Sequence, residues 1–158
     1  KMFTYIRRHV TTKLIFEPRY FDNTEITREN FYGSRFDWVK DKDLLAIFTK
    51  QAEKTFRLNI KQLADTGGID LRNLDRFKPH IDIEEGSKLN ILVMLAGPTA
   101  VTNGTVFYTD NQLDIHVGFR ENRAVIFPSD RLHSPHASVV PNLRRHTASI
   151  FVKDYELV

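Results

Sequence analysis

His80 and Asp82 stand two residues apart in P-H-I-D-I-E-E-G, just ahead of the apolar run L-N-I-L-V-M-L. In an extended strand, residues i and i+2 project from one face. An imidazole and a carboxylate placed this way can form a surface hydrogen bond. They can also offer a nitrogen and an oxygen to one divalent ion that takes its third ligand from another strand. The chain has no cysteine, which excludes disulfides, thiolate metal sites and cysteine nucleophiles. Any metal must therefore be held by His, Asp and Glu. The six histidines are at 9, 80, 116, 133, 136 and 146. His9 and His116 have no supporting pattern, and His116, in the alternating L-D-I-H-V-G-F, is expected to face solvent or a neighbouring strand. His133 and His136 follow the strand ending at Phe127. Arg145 then opens a last strand with Thr147 and Ser149 at alternate positions. A His-x-Asp pair, a late His and then Arg-x-Thr is a more specific combination than any of its members. Arg145 suits carboxylate binding because a guanidinium is always charged and meets a carboxylate through a two-pronged fork; the plainer alternative is an ordinary salt bridge.

These residues need strands to position them. A length of 158 residues with 41% hydrophobic and 27% charged residues fits one soluble domain with a sizeable core. From Lys78 onward, short apolar runs at 88–95, 104–109, 112–119, 123–128, 136–140 and 145–153 alternate with turn signals such as T-N-G, T-D-N and R-E-N, the spacing of a β-sandwich or jelly roll. Residues 42–63 carry helical periodicity through Leu44, Leu45, Phe48, Ala52 and Phe56, with Asp41 or Asp43 as cap and Gly67-Gly68 ending the region. The first 40 residues, rich in aromatic and β-branched side chains, are expected to form short strands. The predicted architecture is α+β and mainly β: a jelly roll with an N-terminal helix packed on one sheet. No apolar run approaches the roughly 20 residues of a membrane span, and no secretory signal is evident, so a cytoplasmic location is expected. The net charge of +3 is mild and the basic residues are scattered. Nucleic-acid binding is thus unsupported without being ruled out.

With these pieces in order, the chain resembles the iron(II)/2-oxoglutarate-dependent dioxygenases, and among them the prolyl 4-hydroxylase-like and phage-encoded members. The resemblance lies in P-H-I-D (79–82), L-N-I-L-V-M-L (89–95), N-G-T-V-F-Y (103–108), N-R-A-V-I-F-P-S-D-R-L-H-S (122–134) and R-H-T-A-S-I-F (145–151). It implies a double-stranded β-helix, cupin-like, filling 77–153 of a single domain 1–158, with 1–76 as N-terminal strands and support helix. It implies Fe(II) held by His80, Asp82 and a late histidine. His133 is preferred because it follows the N-R-x-x-x-F-P-x-x-x-L-H-S pattern, whereas His136 lies nine residues before Arg145 and remains the alternative. Arg145 would bind the far carboxylate of 2-oxoglutarate, with Thr147 adding a hydroxyl. The family's tyrosine on the second core strand is Met94 here, so Tyr108 or Asn90 is expected to complete that pocket. The usual double glycine before F-Y is Asn103-Gly104.

The implied reaction is hydroxylation of a C–H bond with O₂ and oxidative decarboxylation of 2-oxoglutarate to succinate and CO₂, with ascorbate as an optional reductant. The substrate would be a protein side chain such as proline, or a small molecule, and the loop at 96–103 would border its pocket. Two other classes compete. A cupin-like jelly-roll binding module without catalysis predicts that the candidate ligands do not converge, or converge on no metal. A cupin-type dioxygenase or isomerase without 2-oxoglutarate would bind metal through three histidines and a Glu and would not need Arg145.

Overall fold

The computed structural model describes residues 2–20, 31–72, 78–100, 103–136 and 144–158. In chain order the elements are α1 (Met2–Lys13), β1 (Glu17–Tyr20), β2 (Phe31–Asp37), α2 (Lys42–Phe56), β3 (Leu58–Arg72), β4 (Leu89–Ala96), β5 (Gly104–Thr109), β6 (Gln112–Gly118), β7 (Arg123–Pro128), β8 (His133–Pro135) and β9 (Arg145–Leu157). The large sheet has strand order β1-β2-β3-β9-β4-β7 and the small one β6-β5-β8. All pairings within them are antiparallel. The chain is thus mainly β, two antiparallel sheets with two helices.

Strand β9 sets the two faces of the large sheet. It is bonded on one side to β3 and on the other to β4, so its side chains alternate strictly. Ala148, Ile150 and Val152 point one way and join Ile69, Ile91 and Leu95 in the main apolar core, with Ile6 and Val10 of α1 and Leu44, Leu45, Phe48 and Ala52 of α2. Arg145, Thr147 and Ser149 point the other way, and all three are buried. On β4 the same alternation places Asn90, Leu92 and Met94 on this second face. Leu92 there joins Phe107 of β5 and Phe127 of β7 in a smaller core between the sheets.

Three expectations are corrected. The short strands expected in the first 40 residues are present as β1 and β2, but helix α1 precedes them, because Ile6 and Val10, four apart, bury one helical face against the core. Helix α2 stops at Phe56 and does not run to 63, since Arg57 adopts a left-handed conformation (φ 54°, ψ 55°). The residues that follow form β3, fifteen residues long and paired with β9. Gly67-Gly68 lie inside that strand, where a β-carbon on Gly68 would come within 2.3 Å of the Phe36 carbonyl oxygen. The other runs from 88 onward appear as β4 to β7 and β9, while the run expected at 136–140 gives way to β8 at His133–Pro135, with 137–140 outside the described residues.

Strand β3 also contributes Asp70, only 1% exposed. Arg35 of β2 grips it through Nε and Nη2 at 2.8 and 3.1 Å, and Arg72 adds a contact at 3.2 Å. Burial pushes the Asp70 carboxyl up, but the two guanidinium charges outweigh it and hold it below the usual carboxylate range. Because the folded group titrates below its unfolded counterpart, its contribution to stability is complete above the unfolded pKa of about 3.9. That contribution is lost as pH falls through the folded value. Asp70→Asn should therefore cost about 3 kcal/mol at neutral pH, read by urea unfolding. The gap to wild type should narrow steadily below pH ~4; a gap that does not change with pH would contradict this account.

Candidate metal centre

The segment His80–Asp82 lies beside strand β8. His80 N–H donates to the His133 carbonyl at 2.9 Å and His133 N–H donates back to the His80 carbonyl at 3.0 Å. This two-residue antiparallel bridge sets the histidines opposite each other, their ring centroids 4.5 Å apart. Asp82 N–H donates to the Ser129 carbonyl at 2.7 Å, and Ser87 Oγ donates to the Asp82 carbonyl, which pins the backbone that carries the carboxylate. One ligand atom from each of His80, Asp82 and His133 lies within 4.8 Å of the other two. Asp82 Oδ1 is 3.6 Å from His80 Nε2, and Asp82 Oδ2 is 3.1 Å from His133 Nε2.

Protonation follows from the acceptors around the rings. His80 Nδ1 lies 2.9 Å from the Lys78 carbonyl oxygen, and His133 Nδ1 lies 2.9 Å from that of Arg131. A carbonyl can only accept, so each Nδ1 carries a proton, and Nε2 is the ring atom turned toward Asp82, able to donate to the carboxylate when protonated or to bind a cation when not. Lone pairs at these separations from a carboxylate repel unless a proton or a metal cation sits among them. Two imidazoles and one carboxylate are the donor set that holds a divalent ion on one face and leaves its other positions open. Burial lowers the His80 pKa, and the neighbouring His133 lowers it further, against the raising effect of Asp82 and the Lys78 carbonyl. For Asp82, burial raises the pKa, but His133, then His80 and Asn90, hold it below the ordinary value. Both ligands are thus biased to the deprotonated form that a metal requires.

The other sequence candidates fall in three places. His136 is apart from the group, its ring 4.7 Å from that of His116. Asn90, 2% exposed, donates from Nδ2 to Asp82 Oδ2 at 2.6 Å, while its Oδ1 is buried without a partner among the described residues. Its amide is thus engaged with the Asp82 carboxylate. Tyr108 shares a 2.9 Å hydrogen bond with Ser134 Oγ, and Ser134, adjacent to His133, alternates to the opposite face. Tyr108 is not brought to the cluster.

Arg145 and Thr147 do project from the face that carries Asn90. Arg145 Nη1 donates to Asn103 Oδ1 at 3.0 Å and to the Gly104 carbonyl, and its Nε is buried with no partner among the described residues. Burial pushes its pKa down to about 9, with the charge of Arg72 in the same direction, so the group stays cationic at neutral pH. Asn103 and the Arg35–Asp70–Arg72 cluster were not singled out from the sequence. The substitution of Asn for the first glycine of the G-G pair was the available signal for Asn103. Reading Gly67-Gly68 as the end of a helical region hid Asp70.

No protein-family model matches the sequence, and no curated protein matches it either. Solved structures do match. The non-heme α-ketoglutarate-dependent epimerase SnoN of nogalamycin biosynthesis aligns at TM-score 0.59 and 14% identity over 99% of this chain and 71% of its own. SnoN has also been solved in complex with Fe³⁺, α-ketoglutarate and nogalamycin RO. A Pseudomonas putida prolyl-4-hydroxylase aligns at TM-score 0.57 and 14% identity over 97% of this chain and 84% of its own. EvdO2 from Micromonospora carbonacea var. aurantiaca, solved with 2-oxoglutarate, aligns at TM-score 0.56 and 14% identity over 99% and 83%.

The role of Asn90 is directly testable. Asn90→Ala should weaken Mn(II) binding about 10- to 100-fold in calorimetric titration, through loss of the Asp82 contact; unchanged affinity would show that this contact does not orient the carboxylate. The chain therefore shares its fold with these solved structures, a non-heme α-ketoglutarate-dependent epimerase and a prolyl-4-hydroxylase among them.

Proposed function

We propose that this protein is an Fe(II)- and 2-oxoglutarate-dependent oxygenase that hydroxylates a C–H bond in a protein side chain, such as prolyl, or in a small molecule. The observation that carries this reading is the convergence of His80, Asp82 and His133 within 4.8 Å, beneath a sheet face that presents a buried arginine with an unpartnered Nε. The donor set fits iron, and the arginine fits a dicarboxylate co-substrate. The fold shared with a prolyl-4-hydroxylase and with 2-oxoglutarate-bound EvdO2 supports both assignments. It also supports reading the two sheets as a double-stranded β-helix.

In this reading His80 Nε2, Asp82 Oδ1 and His133 Nε2 hold the metal, and Asn90 keeps Asp82 Oδ2 occupied so that a single oxygen faces the ion. When bound, iron with 2-oxoglutarate supplies the oxidising chemistry that couples O₂ to decarboxylation and C–H hydroxylation. The chain's own task is to bind, orient and keep water out. Arg145 offers a permanent positive charge for the far carboxylate, and Thr147, 3% exposed on the same face, offers a hydroxyl. Phe107 and Phe127, with ring centroids 6.1 and 4.8 Å from that of His133, wall one side with apolar surface. The alternative of a cupin-like binding module predicts ligands that stay apart or that converge on no metal; the convergence of His80, Asp82 and His133 meets the first condition of the enzyme reading, and metal retention separates the two.

Anaerobic addition of Fe(II) and then 2-oxoglutarate should produce the visible charge-transfer absorption of the chelate. His80→Ala should abolish that absorption. Arg145→Ala should raise the 2-oxoglutarate concentration needed by about 10-fold or more, the loss expected for one desolvated charge-assisted pair. Absence of the absorption in wild type, with no metal retained, would overturn the enzyme assignment.

A further inference from the structure

Arg145 is held in an unusual way for a buried cation. No acidic side chain contacts it among the described residues; its Nη1 is taken by two neutral oxygens, Asn103 Oδ1 at 3.0 Å and the Gly104 carbonyl. Asn103 is fully buried at 0% exposure and is itself fixed at three further points. Its Nδ2 donates to the Pro98 carbonyl at 2.8 Å. Its own N–H donates to the Ala100 carbonyl at 3.0 Å, and its carbonyl accepts from Phe119 N–H at 2.8 Å. Phe119, 1% exposed, lies against the guanidinium with Cζ 6.0 Å from the ring centroid. Gly97 closes the other side: a β-carbon there would come within 2.9 Å of Arg145 Cβ. The guanidinium is clamped before any ligand arrives.

The consequence lies in which edge is left over. A guanidinium offers a carboxylate two parallel donors along Nε and Nη2, as Arg35 does to Asp70 in this same protein at 2.8 and 3.1 Å. With Nη1 anchored, that same edge of Arg145 is engaged by neither Asn103 nor Gly104, and its buried Nε has no acceptor among the described residues. A neutral amide is suited to this task. An aspartate at 103 would neutralise the cation, whereas an amide orients it and leaves the charge for the ligand.

Resting on the function proposed above, we propose that Asn103 is the positioning residue of the co-substrate pocket. It holds Nη1 of Arg145 so that the Nε–Nη2 edge meets the far carboxylate of a 2-oxo dicarboxylic acid, and so sets the preference for that diacid over a 2-oxo monoacid.

Calorimetric titration of the Mn(II)-loaded protein with 2-oxoglutarate and with 2-oxovalerate, which has the same chain length and no far carboxylate, measures this preference as a ratio of dissociation constants. Asn103→Ala should lower the ratio by roughly tenfold or more, with 2-oxovalerate affinity and Mn(II) affinity unchanged. If that variant does not fold, Asn103→Ser keeps a polar group near the Pro98 carbonyl yet is too short for Arg145, and the same loss is expected. An unchanged ratio, or equal weakening of both acids as a merely structural role would give, overturns the positioning role. A wild-type protein that does not prefer the diacid overturns the functional reading itself, and the role of Asn103 with it.

Discussion

Strand β9 is hydrogen-bonded along both edges, to β3 and to β4, and the site depends on that constraint. A slip of one residue would turn Ala148, Ile150 and Val152 out of the helix-packed core and drive Arg145, Thr147 and Ser149 into it. Burying a side chain such as Ile150 is worth about 1.5–3 kcal/mol, and an unmatched guanidinium in that core would cost far more. The apolar face therefore fixes the register, and the register presents the arginine. Helices α1 and α2 act through this face: by packing on it they decide which way Arg145 points.

The candidate metal ligands come from the other half of the fold. His80 and Asp82 sit outside regular strands, and their positions depend on short main-chain bonds to His133 and Ser129. His133 in turn belongs to β8, a three-residue strand against Phe107 of β5. Main-chain bonding thus sets the spacing of the two imidazoles, and the carbonyls of Lys78 and Arg131 set their tautomers. Asn90, on β4 of the large sheet, joins this assembly to the first through its amide on Asp82. Charge is distributed in the same divided way. Asp70 answers Arg35 and Arg72 deep in the large sheet, while Arg145 is matched by neutral oxygens and keeps its charge for what binds.

Local pattern carried much of this into the sequence. The alternation of β4 to β7 and β9, the i, i+2 spacing of His80 and Asp82, and the shared parity of Arg145 and Thr147 are all period-2 signals, and the structure keeps them. Pairings over long sequence separations were not legible. Strand β3 follows helix α2 after one left-handed residue, and its length comes from pairing with β9 as much as 99 positions later (Leu58 with Leu157). Nothing between 57 and 63 announces that partner. Helix α1 was obscured because Phe3, Tyr5, Ile6 and Val10 suit either a strand or one helical face, and only the core below selects the helix. That His133 and not His136 stands with His80 and Asp82 is likewise a tertiary matter, since His133 lies against Phe107 and Phe127 and His136 against His116. The bond of Asn90 to Asp82 was not legible, because a sequence cannot say that an amide on β4 will meet a carboxylate eight residues earlier.

The most direct test of the central claim is a crystal structure of the protein grown anaerobically with Mn(II) and 2-oxoglutarate, with the metal located by anomalous scattering. The account predicts one ion bound by His80 Nε2, Asp82 Oδ1 and His133 Nε2, with the co-substrate's far carboxylate on the Nε–Nη2 edge of Arg145. An ion elsewhere, a ligand set that replaces His133 with His136, or a co-substrate that leaves Arg145 untouched would contradict it.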